Sequence, residues 1–254
     1  MYTRTKLLLI KDMDFTLPTE TIELPSKGLL YPEGHPLKSG TIEMKYMTAK
    51  EEDILSNQSY IQKGTVLDKL LQSLIVTKFD YNDLLVGDKN ALMVAARILG
   101  YGKDYKFTYK GEEQTVDLST LEAKPLAEEV TQATTNEFTF TLPTSGATVT
   151  FNLITHKHEA DITQELEGLK KLSPNSSPPE LTTRLKHIIT SVNGERDKKS
   201  VRQFVDNYLL AADSRALRSK IVEITPDVDL TFFPEPDGAK VDIPIGLRFF
   251  WPDF

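Results

Sequence analysis

The densest group of chemistry-bearing side chains is the run "THKHEAD", residues 155–161, where His156, His158, Glu159 and Asp161 are all metal-ligand types. Their spacing denies them a common direction. On a helix, positions two apart point to different faces. On a strand, His156 and His158 share a face while Glu159 and Asp161 turn away. A solvated helix start explains the same letters, and no metal is expected. His187 falls between Leu185 and Ile188 in a helical stripe, beside the core, and His35 lies in the loop "PEGHPLKSG".

Other reaction signatures fail on context. "GYGK" at 100–103 follows a helical pattern where a phosphate loop must precede one. No Gly-x-Ser-x-Gly elbow or His-Glu-x-x-His occurs. The chain has no cysteine, which excludes disulfides, thiolate metal sites and cysteine nucleophiles. Of 37 acidic residues, nothing singles out a catalytic pair, and "KEEDI" and "GEEQ" read as solvated charge runs. The expectation is a protein without catalysis and without a cofactor.

At 254 residues, 39% hydrophobic and 26% charged, the chain is long enough to bury a substantial core. A net charge of −7 gives a nucleic-acid partner no encouragement. No apolar run approaches the roughly 20 residues that span a bilayer. "KLLLIKDM" is short for a secretory segment, so a cytosolic location is expected, with proteins as partners.

The elements that must position any site follow from periodicity. "FTLPTETIELPSKGLLYP" mixes β-branched residues and prolines, as an edge strand or extended arm does. "GTIEMKYM" alternates with period two. Thr48 caps a helix from Ala49, with Glu51 completing a capping box. Thr65 opens a helix bearing Val66, Leu67, Leu70, Leu71, Leu74 and Ile75 on one face. Asp88 caps the next, which ends at Gly100. "YKFTYKGEEQTVDLS" is a hairpin about Lys110-Gly111, with Tyr105, Phe107 and Tyr109 alternating. A second hairpin turns at Ser145-Gly146. Beyond it, Ile162, Leu166, Leu169 and Leu172 mark one helix. Leu181, Leu185, Ile188, Ile189 and Val192 mark another, beginning near Pro178-Pro179. Val201, Phe204, Val205 and Tyr208 form a third stripe, and Asp213 caps a helix carrying Leu217 and Ile221.

Two stretches share a syntax. "LPSKGLLYPEGHPLKSGTIEMKYMTAKEEDI" and "LPTSGATVTFNLITHKHEADI" both run Leu-Pro, a Gly turn, a β-rich segment, then Thr-x-Lys-x-Glu leading to Asp-Ile. Capping chemistry alone produces such strings; a degenerate repeat of one hairpin-plus-helix unit produces them too. The expected architecture is α+β, with two lobes, each a β-hairpin followed by a small helical bundle. The first lobe is 1–125 with the hairpin inserted at about 101–120, the linker is 126–136, and the second lobe is 137–254. The C-terminal "GLRFFWPDF" packs as a last strand in the core or docks on a partner.

At "LPSKGLLYP", "GTIEMKYMTAKEEDIL", "DLLVGDKNALMVAARILGYG" and "LPTSGATVTFNLIT" the chain resembles the T4-type baseplate hub and hub-assembly proteins of contractile-tailed bacteriophages. The resemblance covers about the first 170 residues and, more weakly, the aromatic C-terminal end. It implies a virion tail location, or the host cytoplasm during assembly, and other baseplate, hub and tail proteins as partners. No nucleic acid, membrane or small-molecule substrate is implied. Many members carry a Cys-x-x-Cys ribbon where this chain has "FTYKGEEQTVDLS", so here the resemblance implies a plain hairpin without zinc. The expected contact residues are Leu24, Pro25, Leu29, Leu30 and Tyr31, with Phe249, Phe250, Trp251 and Phe254. The alternatives are a small cytosolic hydrolase with an unrecognised carboxylate pair, and an unrelated adaptor or chaperone.

Overall fold

The computed structural model describes residues 17–234, 238 and 240–250. The chain is α+β, with small antiparallel sheets among helices. Strands β1 (Thr19–Glu23) and β2 (Thr41–Lys45) pair with Thr19 opposite Lys45 and Glu23 opposite Thr41. Ile42 and Met44 face inward while Glu43 between them is exposed, as the period-two pattern predicts.

Thr48 then caps α1 (Ala49–Leu55), and Asn57 caps the short α2 (Gln58–Gln62). Helix α3 (Val66–Leu74) buries Val66, Leu70, Leu71 and Leu74. Beyond it Ile75 forms an isolated antiparallel bridge to Met44, and the Val76 amide donates to the Glu43 carbonyl at 2.9 Å, so the chain touches the free edge of β2.

Helix α4 (Val86–Tyr101) departs from expectation at both ends. It starts two residues before Asp88, with Leu85 at the cap, and it runs through Gly100 to Gly102, whose φ of 85° ends it. The Asp88 side chain is turned away to another element. Strands β3 (Asp104–Tyr109) and β4 (Glu112–Asp117) form the hairpin about Lys110-Gly111. In the stretch expected to be linker, α5 (Glu128–Gln132) buries Val130 completely.

Strands β5 (Phe138–Thr141) and β6 (Thr148–Phe151) form the second hairpin, followed by α6 (His156–Leu172), capped by Thr155. Its stripe fades along its length: Ile162 is buried, and Leu172 is 82% exposed. Helix α7 (Glu180–Ile188) stops earlier than its apolar pattern. Ile189 and Val192 belong instead to β7 (Ile189–Val192), which pairs with β6 and completes the sheet β5-β6-β7. A run of β-branched residues suits that switch. Helix α8 (Lys198–Asn207) buries Val201 and Val205, and α9 (Ala211–Ile224) begins at Leu210, again ahead of the expected aspartate cap.

Strands β8 (Thr231–Phe232) and β9 (Val241–Asp242) pair, and Leu247–Phe250 is a 3-10 turn where a strand was expected. This tail returns to the first half. Lys124 donates to the Asp227 carbonyl at 2.8 Å, and the Tyr105 and Phe249 rings meet edge-on at 4.7 Å. The buried side chains form one cluster running through both expected lobes, so the core does not divide at 126–136. Among the described residues no helix is long and apolar enough to cross a membrane.

Candidate functional site

Asp88 is the third residue of α4 and fully buried. Its carboxylate accepts from the Ser26 amide (2.9 Å), the Ser26 hydroxyl (2.7 Å) and the Tyr31 hydroxyl (2.7 Å). The Tyr31 oxygen in turn accepts from the Leu85 amide at 3.1 Å, so the turn "LPSKGLLY" is fastened to the start of the helix. Gly28, at φ 74°, is needed there: a Cβ would sit 2.5 Å from the Lys38 carbonyl oxygen. Burial raises the Asp88 carboxyl above its ordinary range against the pull of Ser26 and Tyr31. Burial, with Asp88 beside it, raises the Tyr31 phenol far above its own.

The second half repeats the device. Asp213, third residue of α9 and fully buried, accepts from the Thr144 amide at 2.7 Å and the Ser145 amide at 3.0 Å. These lie in "LPTSG" as Ser26 lies in "LPSKG". Here desolvation is outweighed by the donors of Ser145 and Thr144, and the carboxyl lies below its usual range. The helices share a signature, "LLVGDKNAL" at 84–92 and "LLAADSRAL" at 209–217, with Leu92 and Leu217 both fully buried.

The shared capping syntax is also structural. Glu51 accepts from the Thr48 amide and hydroxyl at 2.9 and 2.6 Å. In the second copy the Thr155 amide donates to His158 Nδ1 at 3.1 Å, an imidazole standing where the first copy has a carboxylate. Glu51 also accepts from Lys45 (2.8 Å) and Ser73 (2.7 Å). Burial opposes its ionisation, but hydrogen bonds from Lys45, Thr48 and Ser73 prevail and hold its carboxyl at about 2. Each half thus runs from a paired strand through a threonine-capped helix to a later helix whose aspartate grips the half's own Leu-Pro turn.

The copies meet where α4 begins. The Val86 amide donates to the Ile154 carbonyl at 3.0 Å and the His156 amide to the Leu84 carbonyl at 2.8 Å, bridging Leu85 to Thr155. An open cleft of about 490 Å³ flanks this joint, lined by Asp68, Lys89, His156 and Glu159. Lys89 lies 2.6 Å from Asp68 and 3.9 Å from Glu159, and the Tyr81 hydroxyl donates to Asp68 at 3.1 Å. His156 Nδ1 sits 3.6 Å from Asp68 without a hydrogen-bond partner, its ring edge-on to Tyr81 at 4.6 Å. Burial lowers the His156 pKa against the opposing pull of Asp68, and Lys89, 2.6 Å from Asp68, adds to the lowering.

His156 and His158 are thus half-buried structural groups, where the sequence suggests a solvated helix start. His187 bonds Glu165 at 2.8 Å, and Arg202 completes that cluster. Burial works against the Glu165 carboxylate, but Arg202 and His187 more than offset it and lower its pKa. Among the described residues no group of three or more His, Cys, Asp or Glu is placed to hold a metal ion.

The residues expected to contact partners are mostly interior. Leu24, Leu30 and Tyr31 are 2–3% exposed, Pro25 is buried, Leu29 is half-buried against the core, and Phe249 and Phe250 are fully buried. They hold the turn and the tail inside the chain, and Leu29 alone of the described ones stays half-exposed. Trp251 and Phe254 lie outside the described residues. The sequence reading missed this role of Asp88 and Asp213; the repeated Leu-Leu-x-x-Asp-x-x-Ala-Leu is the signal in the sequence that marks them. Both aspartates look like helix caps when each half is read alone.

Compared with models of protein families, with curated proteins and with solved structures, the chain matches none.

Proposed function

We propose that this chain is a structural or assembly protein that acts by protein–protein binding, without catalysis, in the baseplate hub of a contractile-tailed bacteriophage. One observation carries the binding part: two halves, each with a buried aspartate holding its own Leu-Pro turn, joined by backbone pairing of Leu84 and Val86 with Ile154 and His156. A unit that already docks on its like is suited to scaffold assembly. The hub itself comes from the resemblance at the Leu-Pro turns and "DLLVGDKNALMVAARILGYG".

The cleft at the joint favours one second reading, a small hydrolase using Asp68 and Glu159 with the neutral His156. In its resting geometry Lys89 and Tyr81 already engage Asp68, which disfavours it as a free base.

Quantitative peptide mass spectrometry of purified particles against infected-cell lysate tests the proposal. A small fixed copy number in step with other tail proteins marks a subunit. Abundance in lysate with co-purifying hub proteins but absence from particles marks an assembly factor. Absence from both tail complexes and particles overturns the hub reading, and a turnover abolished by Asp68→Asn would install the hydrolase.

A further inference from the structure

We propose that the edge formed by Leu209, Leu210 and Ala211 docks on residues 47–49 of a second copy of this chain, head to tail, repeating the joint that holds its own two halves together. This names a partner for the binding reading and rests on it.

The internal joint uses four backbone groups. The first unit's tail supplies the Leu84 carbonyl and Val86 amide; the second unit's head supplies the Ile154 carbonyl and His156 amide. The repeat maps that tail onto the Leu209 carbonyl and Ala211 amide, and that head onto the Met47 carbonyl and Ala49 amide. Among the described residues, none of these four makes a backbone hydrogen bond. The molecule thus carries one used joint and the complementary halves of another.

Side-chain exposure agrees. Leu85, bridged to Thr155, is 4% exposed, while its counterpart Leu210 is 46% exposed with Tyr208 nearby in sequence at 62%. A two-fold arrangement of the units would instead have set Leu210 on Thr48 within the chain. The contact is therefore heterologous, the kind that propagates between copies. Gly87 and Ala212 add a further mark of the open end. Gly87 is buried, with the Pro226 carbonyl oxygen 1.7 Å from where its Cβ would stand, whereas Ala212 is exposed.

The charged cluster of the internal joint is not copied. The counterparts of Asp68, Lys89, His156 and Glu159 are Thr182, Ser214, Ala49 and Glu52. The joint between copies rests on the backbone pairing and on Leu210, so it is weaker than the internal one and concentration-dependent.

Proline substitution isolates the backbone donors. Ala49 and Ala211 are first residues of their helices, where proline is tolerated and only an unused amide is lost. Thr48 (φ −121°, ψ 173°) and Leu210 (φ −64°, ψ 147°) already have the extended backbone that a following proline requires. Leu210→Asp is a second tail variant, and it improves the helix cap. Sedimentation velocity of the full chain over a broad concentration range should show self-association for the native sequence. Ala49→Pro, Ala211→Pro and Leu210→Asp, each with a native thermal melt, should weaken it at least tenfold. Mixing Ala49→Pro with Ala211→Pro should restore association capped at the dimer, since one intact tail then meets one intact head. A native chain that stays monomeric throughout overturns the proposal, as do variants that associate like the native chain or a mixture that fails to dimerise. If that monomer still co-purifies with tail proteins, the joint between copies fails while the binding reading stands.

Discussion

Asp88 and Asp213 are each the third residue of a helix, and each turns away from that helix to hold the amides of a Leu-Pro turn more than sixty residues distant. An aspartate in the first turn of a helix ordinarily serves the helix's own orphan amides. Here the helices begin at Leu85 and Leu210 without a side-chain cap, and the carboxylates fasten non-local structure instead. That makes the two residues closure points for the two units.

Asp88→Asn keeps the shape of the side chain but turns an amide toward Ser26 or Tyr31. It should cost about 1–3 kcal/mol, the scale for a buried donor left without an acceptor. Chemical denaturation of the full chain checks this. The sign with pH is also defined. The folded carboxyl is raised, so its contribution is present at low pH and is lost as pH rises through the folded value. The variant should lack that decline.

Glu51 has the opposite sign. Its folded carboxyl lies at about 2 against an ordinary 4.5, so its contribution is full above the unfolded value and is lost as pH falls from there toward 2. Allowing for solvent screening at Lys45, that contribution is roughly 2 kcal/mol. Glu51→Gln should flatten the acid limb of a stability-versus-pH curve by this amount.

Gly87→Ala forces a methyl group into the Pro226 carbonyl and should cost about 1–3 kcal/mol. Because Pro226 and Asp227 pack there, limited proteolysis should cut next to them faster in the variant. Ala212→Gly, at the corresponding exposed position, should leave the cleavage pattern unchanged.

Phe250→Ala empties a fully buried site at the end of the described chain and should cost about 3–5 kcal/mol. A docking aromatic would instead leave the melt unchanged and reduce co-purification with partners. A thermal melt separates the two outcomes.

Local pattern made much of the fold legible. The alternation of Ile42 and Met44, the Thr48–Glu51 cap, and the turns at Gly111 and Gly146 all depend on residues near in sequence. What stayed hidden was non-local. Asp88 and Asp213 look like caps until their partners, Ser26 and Thr144, are placed beside them. The helical stripe of residues 181–192 breaks at Ile189 because β6 offers a strand edge, which no local window contains. The aromatic tail was open between core and interface, and the described part, Phe249 and Phe250, lies in the core. The cleft between Asp68 and His156 joins residues almost ninety positions apart, so their types alone could not bring them together.

Asp88 and Asp213 each hold the Leu-Pro turn of their own half of the chain. Native-state hydrogen exchange at the Ser26 and Thr144 amides tests it most directly, in Asp88→Asn and Asp213→Asn side by side. The duplication predicts faster exchange at Ser26 alone in the first variant and at Thr144 alone in the second. Equal acceleration at both amides in either variant, or none at either, would contradict it.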